Sequence, residues 1–158
     1  SESGRIIIGN NNTGKTVFIR SIGVAQILAQ SGLFVTAKSA VISVRNRILT
    51  FLSSKEISSM AGGRFEKEVS VISKIVDDVD NNSLIIMNEI FQSTSFEAGV
   101  DALYNILVYL TKKNTLWLSV THLKEIINKR HTFNQDTNKD FKILTTAIEG
   151  QQFLIKEL

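Results

Sequence analysis

The sequence predicts an α/β domain with a mostly parallel central sheet, helices on its faces and a C-terminal β-hairpin. Three observations carry that expectation. A short apolar strand, residues 5–8, runs through a glycine-containing loop into a stretch where Phe18, Ile19, Ile22, Ala25, Ile27 and Leu28 recur at helical spacing up to Gly32. Residues 83–87 and 115–120 are continuously apolar, as parallel strands buried on both faces are, and an amphipathic helix separates them. Residues 142–148 and 152–157 read as two strands joined through Glu149-Gly150-Gln151 into a hairpin. Strands that alternate with helices form parallel sheets, because each parallel pair needs a crossover.

The remaining elements follow in order. Residues 40–44 and 47–52 are β-branched or apolar enough for two strands around Arg45-Asn46, and Gly62-Gly63 marks a break. From residue 65 to 79, Val69, Ile72, Val76 and Val79 share one helical face, and Asp80-Asn81-Asn82 ends the helix. The strand at 83–87 then delivers Asn88 and Glu89 at its C-terminal end. Residues 96–112 turn Val100, Leu103, Tyr104, Leu107 and Val108 inward, and the strand at 115–120 ends in Thr121-His122. A short helix near 123–130 and a polar surface loop at 132–139 lead to the hairpin. With no repeat, low-complexity tract or linker, residues 1–158 are expected to form one domain.

Composition narrows the function. The 158 residues are 43% hydrophobic and 21% charged, enough for one soluble core. Absence of cysteine removes disulfides, thiolate catalysis and thiolate metal sites, and two isolated histidines, His122 and His131, are too few for a histidine cluster. The apolar runs are far shorter than the roughly 20 residues that span a bilayer, so a cytoplasmic location and no membrane contact by this segment are expected. The net charge of +3 is dispersed, without a basic stripe interleaved with aromatics, so DNA contact is not expected of this segment. Proline is absent where about eight would be average, which points to a biased genome or to a piece of a longer chain.

Gly9-Asn10-Asn11-Asn12-Thr13-Gly14-Lys15-Thr16 matches the P-loop pattern G-x-x-x-x-G-K-[ST] at every defined position, between a strand and a helix. The chemistry explains the residue types. Glycines let successive N–H groups point at phosphate oxygens, the helix N-terminus adds a favourable field, Lys15 supplies a charge, and the Thr16 hydroxyl can ligate Mg²⁺. Such a loop needs a partner acid at a strand end, and Glu89 is the candidate base, with Asn88 beside it and His122 at the next strand end.

These residues resemble the C-terminal ATPase domain of the MutS family of DNA mismatch-repair and recombination proteins, a branch of the ABC-like P-loop NTPases. The likeness covers residues 5–125 and rests on Gly9 to Arg20, on Leu28 to Ala40 with its Ala29-Gln30-Ser31-Gly32-Leu33-Phe34-Val35-Thr36-Ala37 run, on Ser83 to Ile90, on Thr94-Ser95 with Gly99, and on Thr121-His122. The resemblance implies that Gly9, Asn10, Asn11, Asn12, Thr13, Gly14, Lys15, Thr16 and Val17 hold ATP, that Thr16 and Asn88 serve the Mg²⁺ site, that Glu89 is the catalytic base and that His122 senses the γ-phosphate. It also implies pairing, as a homodimer or with a MutS-like partner subunit, with Thr94-Ser95 in the loop that meets the opposite subunit. DNA would be engaged through domains absent from this chain.

Three departures stand against the family pattern. The magnesium-site Asp is Asn88. The segment usually reading Gly-Arg-Ser-Thr-Phe-x-x-Glu is Gly62-Gly63-Arg64-Phe65-Glu66-Lys67-Glu68, and the loop usually reading Gly-Arg-Gly-Thr-Ser is Phe91-Gln92-Ser93-Thr94-Ser95. Together with Asn10, where the family's P-loop commonly carries proline, they imply a divergent MutS-like paralogue. Two functions are therefore expected: an ATPase whose dimer closure moves DNA-binding domains outside this chain, or a catalytically weakened, nucleotide-gated interaction module. The short approach to the P-loop and the end at Leu158 read as an ATPase domain excised from a longer chain, with weak nucleotide affinity in isolation.

Overall fold

The computed structural model describes residues 2–52, 63–149 and 152–158. Its elements are β1 (Glu2–Ile8), α1 (Lys15–Gln30), β2 (Arg47–Phe51), α2 (Arg64–Asp77), β3 (Ser83–Asn88), α3 (Phe96–Lys112), β4 (Leu116–Thr121), a 3₁₀ helix (Lys124–Lys129), α4 (Arg130–Thr137), β5 (Asp140–Glu149) and β6 (Gln152–Glu157). The strands form one six-stranded sheet in the order β2-β3-β4-β1-β5-β6. All neighbours are parallel except β5 and β6, which pair antiparallel as the expected hairpin. Gly150 and Gln151, expected in its turn, lie outside the described residues.

Alternation along the strands divides the core into two layers, because successive side chains point to opposite faces. On one face Ile6, Ile8, Ile85, Met87, Trp117, Phe141 and Ile143 pack with α2, α3, α4 and the 3₁₀ helix. On the other, Ile7, Leu84, Ile86, Leu118 and Val120 pack against Ile19 of α1, with Phe18 and Ile22 beside it. The largely apolar β3 and β4 are what two covered faces require.

The structure corrects two expectations. Residues 40–44 form no strand: Val41 and Val44 are exposed, and the segment is tied to α1 by Gln26, whose amide donates to the Ser43 carbonyl at 2.9 Å, and by Gln30, which accepts from the Arg45 N–H at 2.7 Å. Residues 132–139 are not all loop, since α4 runs to Thr137. One buried residue anchors this otherwise polar helix: the Phe133 ring stands edge-on to Phe141 at 4.9 Å and to Trp117 at 6.2 Å.

At the start of β5, Asp140 receives a bidentate bond from Arg130, Nε at 2.9 Å and Nη2 at 2.7 Å. The Arg130 hydrogen bond holds the Asp140 carboxyl below its ordinary range, with a backbone N–H from Phe141 adding to the effect. Because the carboxyl is easier to ionise in the folded state, its contribution is present above the unfolded value of 3.8 and is lost as pH falls through the lowered folded value. Asp140→Asn is therefore expected to cost about 0.5–1 kcal/mol near neutrality, a figure discounted for a pair that is nearly half exposed. Urea titrations of the two proteins should converge as the pH is lowered into that range.

Among the described residues, no helix is long and apolar enough to cross a membrane.

Candidate functional site

The strand ends create the site. Pairing sets Ile8 of β1 beside Thr121 of β4, and Asn88 of β3 beside Val120. The Glu89 N–H extends that ladder by donating to the Val120 carbonyl at 2.8 Å. The loop leaving β1, the acid following β3 and the imidazole following β4 therefore emerge at one edge of the sheet.

Residues 9–16 turn from β1 into α1. Gly14, the residue before the helix, adopts a left-handed conformation with φ 81°, which glycine reaches without a Cβ penalty. Gly9 is required for a different reason: a Cβ there would stand 2.1 Å from Thr146 Oγ1 of β5. The Thr146 hydroxyl shares a 2.7 Å hydrogen bond with the Thr13 hydroxyl, which fastens the loop to the sheet. Thr13 also donates to the Asn10 carbonyl at 2.7 Å. No side chain caps α1 and its first turn carries no acidic residue, so the helix's positive end is left uncompensated by the chain.

A cleft of about 480 Å³ opens over this turn, lined by residues 11–17 and by Glu89. Lys15 is only 4% exposed, and its ammonium donates to the Asn10 carbonyl within the loop. Thr16 Oγ1 donates to Asn88 Oδ1 at 3.2 Å, joining the start of α1 to the end of β3. Glu89 has φ 53° and Phe91 φ 63°, left-handed conformations that non-glycine residues adopt only where surroundings enforce them. Ile90 and Phe91, both buried, supply that enforcement.

The expected residues are only partly brought together. Asn11, Asn12, Thr13, Gly14, Lys15, Thr16, Val17 and Glu89 line the cleft, Asn88 reaches it through Thr16, and Gly9 and Asn10 support the loop from beneath. His122 is exposed and does not line the cleft; its Nδ1 lies 3.5 Å from Gln92 Nε2, which in turn donates to Glu89 Oε2 at 2.7 Å. Gln92 and Thr146 are the site residues that sequence reasoning missed. Gln92 stood only as a departure from a pattern, and nothing near Thr146 distinguishes it before the sheet brings it to Gly9. Of the altered segment that runs into α2, Gly62 lies outside the described residues, while Glu68, within the helix, is fully buried and accepts from Ser93 Oγ at 2.8 Å.

The cleft combines an ammonium, an uncapped helix N-terminus, a hydroxyl, a side-chain amide and a carboxylate. Such a set suits an anionic ligand carrying a hard cation, with Glu89 available to accept a proton. The described residues hold no group of three or more His, Asp or Glu side chains able to bind a metal ion by themselves.

A largely parallel six-stranded sheet with helices on both faces and a polar cleft at its carboxyl edge defines an α/β domain. Residues 5–156 match the sequence profile of MutS domain V. The chain belongs to the MutS family. It is 33% identical over 147 residues to the DNA mismatch repair protein MutS of Prochlorococcus marinus (strain MIT 9301), covering 91% of this chain and 15% of that protein. To the MutS of Thermotoga maritima it is 34% identical over 136 residues, 85% of this chain and 17% of that protein. To the MutS of Petrotoga mobilis the figures are 31% over 152 residues, 96% and 18%. The chain thus spans less than a fifth of the length of these relatives.

Proposed function

We propose that this chain is the ATP-binding domain of a MutS-type DNA mismatch-repair or recombination protein, an ABC-like P-loop ATPase in which ATP-driven pairing of two such domains moves DNA-binding parts. A cytoplasmic location belongs to the same reading. The observation that carries it is the convergence on one cleft of Lys15, the uncapped start of α1, the Thr16–Asn88 bond and Glu89.

In this reading the first-turn N–H groups of α1 and the Lys15 ammonium bind the ATP phosphates, Lys15 exchanging its bond to the Asn10 carbonyl for phosphate oxygens. Thr16 Oγ1 and Asn88 Oδ1 are hard oxygen donors next to one another, which fits Mg²⁺, an ion that takes few protein ligands and keeps water and phosphate on its other positions. Bound there, Mg²⁺ would offset phosphate charge. Glu89 accepts the proton of the attacking water, and His122 donates a hydrogen bond to the γ-phosphate side of the site.

A second reading, a nucleotide-gated module with little turnover in a divergent paralogue, is favoured by Asn88 itself, an amide where the resemblance puts a carboxylate. Calorimetric titration of the full chain with ATP, with and without Mg²⁺, tests the site. Saturable, Mg²⁺-dependent binding is expected, and its absence would end the reading. Glu89→Gln should leave ATP affinity within about twofold and lower single-turnover hydrolysis about 100-fold or more. Unchanged turnover in that variant would remove Glu89 from the role of base.

A further inference from the structure

Between β3 and α3 the chain is fixed by its apolar residues. Ile90 is 1% exposed and Phe91 2%, and the Phe91 ring lies 5.8 Å from that of Phe65 on α2. Gln92, the next residue, is exposed and contributes nothing to that core. Its amide nevertheless faces both groups to which the hydrolytic roles were given: Nε2 is 2.7 Å from Glu89 Oε2 and 3.5 Å from His122 Nδ1.

Hydrogen-bond chemistry fixes the direction of these contacts. A carboxylate can only accept, so the amide atom facing Glu89 must be the nitrogen. That nitrogen carries a second hydrogen, directed to the His122 side. For that hydrogen to be shared with His122, Nδ1 must accept it, which in a neutral imidazole leaves the ring proton on Nε2. An amide achieves this without a charge of its own, so the carboxylate is oriented and its negative charge is not cancelled. Among the described residues, charged groups near the pair include Lys15 of α1 in the same cleft and Glu68 of α2, which reaches the loop through Ser93.

We propose that Gln92 is a positioning residue for hydrolysis: it holds the Glu89 carboxylate at the cleft and selects the His122 tautomer whose Nε2–H is free to donate to a phosphate oxygen. This inference rests on the ATPase reading of Glu89 and His122. Glu89 and His122 leave different strands and have no hydrogen bond to one another among the described contacts. Gln92 couples them.

The test is single-turnover ATP hydrolysis and ATP affinity of the full chain, for the wild type, Gln92→Leu, Gln92→Asn and Gln92→Glu. Gln92→Leu, which keeps bulk but removes both donors, should lower the hydrolysis rate about 10- to 100-fold with ATP affinity within about twofold. Gln92→Asn, shorter by one methylene, should recover part of that loss. Gln92→Glu, nearly isosteric but unable to donate to a carboxylate as a carboxylate itself, should lose about as much rate as Gln92→Leu. A residue that only filled the loop would tolerate the near-isosteric exchange, and a thermal melt of each variant checks folding. Wild-type rates in Gln92→Leu or in Gln92→Glu would overturn the proposal. A wild-type chain that binds ATP without hydrolysing it would overturn the proposal and leave the nucleotide site standing, whereas a wild type that binds no ATP would overturn the site as well.

Discussion

Lys15→Ala is expected to weaken ATP binding by about 100-fold or more while leaving the fold intact. The size follows from the chemistry. A charge-assisted bond to phosphate contributes up to about 3 kcal/mol, and 1.4 kcal/mol is a factor of ten in affinity. The small structural cost follows from burial. Lys15 is 4% exposed, and its ammonium donates to the Asn10 carbonyl, a backbone group of the same loop. Truncation removes a desolvated charge together with that bond, two effects of opposite sign, so the urea midpoint should move by no more than about 1 kcal/mol equivalent. Lys15→Arg should not rescue binding, because a planar guanidinium presents its donors in a fixed fork and does not reproduce the compact point charge of an ammonium. Calorimetry separates the outcomes: wild-type affinity in Lys15→Ala would remove this loop from nucleotide binding.

The elements buried on both faces were the most legible in the sequence. β3 and β4 read directly from their apolar runs because each residue, on either face, meets another layer of the core. The segment at 40–44 misled for the complementary reason. Its β-branched residues have strand propensity, but propensity states only that a side chain would fit a pleated, half-buried surface, and Val41 and Val44 meet no such surface. Side-chain amides of Gln26 and Gln30 satisfy its backbone groups instead. α4 was hidden by the reverse condition, a helix held by the single buried ring of Phe133, too little for any periodicity to register.

The site divides along similar lines. Residues 9–16 were legible because the backbone needs of that turn restrict the residue types: Gly14 for its left-handed φ, Gly9 for the approach of Thr146. Asn88 and Glu89 were legible because a buried strand must end somewhere, and polar residues at that end are conspicuous. Gln92 and Thr146 were not, since their roles depend on contacts across 30 residues, to His122, and across 133 residues, to Thr13. A strand register supplies both, and no local pattern encodes it.

Asn88→Asp addresses the choice between the two proposed functions: little change in Mg²⁺-dependent ATP turnover is expected of the hydrolysing ATPase, and an increase of about 10- to 100-fold of the nucleotide-gated module. Asn and Asp are nearly isosteric, so the 3.2 Å bond from Thr16 Oγ1 survives the exchange, now accepted by a carboxylate. Two consequences have opposite signs. With Mg²⁺, an added negative oxygen strengthens a hard-cation site and the charge stabilisation it offers. Without Mg²⁺, the new carboxylate stands next in sequence to Glu89, which lines the cleft, and like charges oppose folding and, on the proposed reading, ATP binding. The variant should therefore be up to about 1 kcal/mol less stable in chelator and should regain that stability as Mg²⁺ is added, because a ligand that binds only the folded state stabilises it. ATP affinity in Mg²⁺ should stay close to that of the wild type. A large rise in turnover at constant affinity would mean that the natural amide restrains hydrolysis, favouring the nucleotide-gated module. Turnover equal to that of the wild type would mean that Thr16, Asn88 and the phosphates already meet the cation's needs, leaving the hydrolysing machine as the better account.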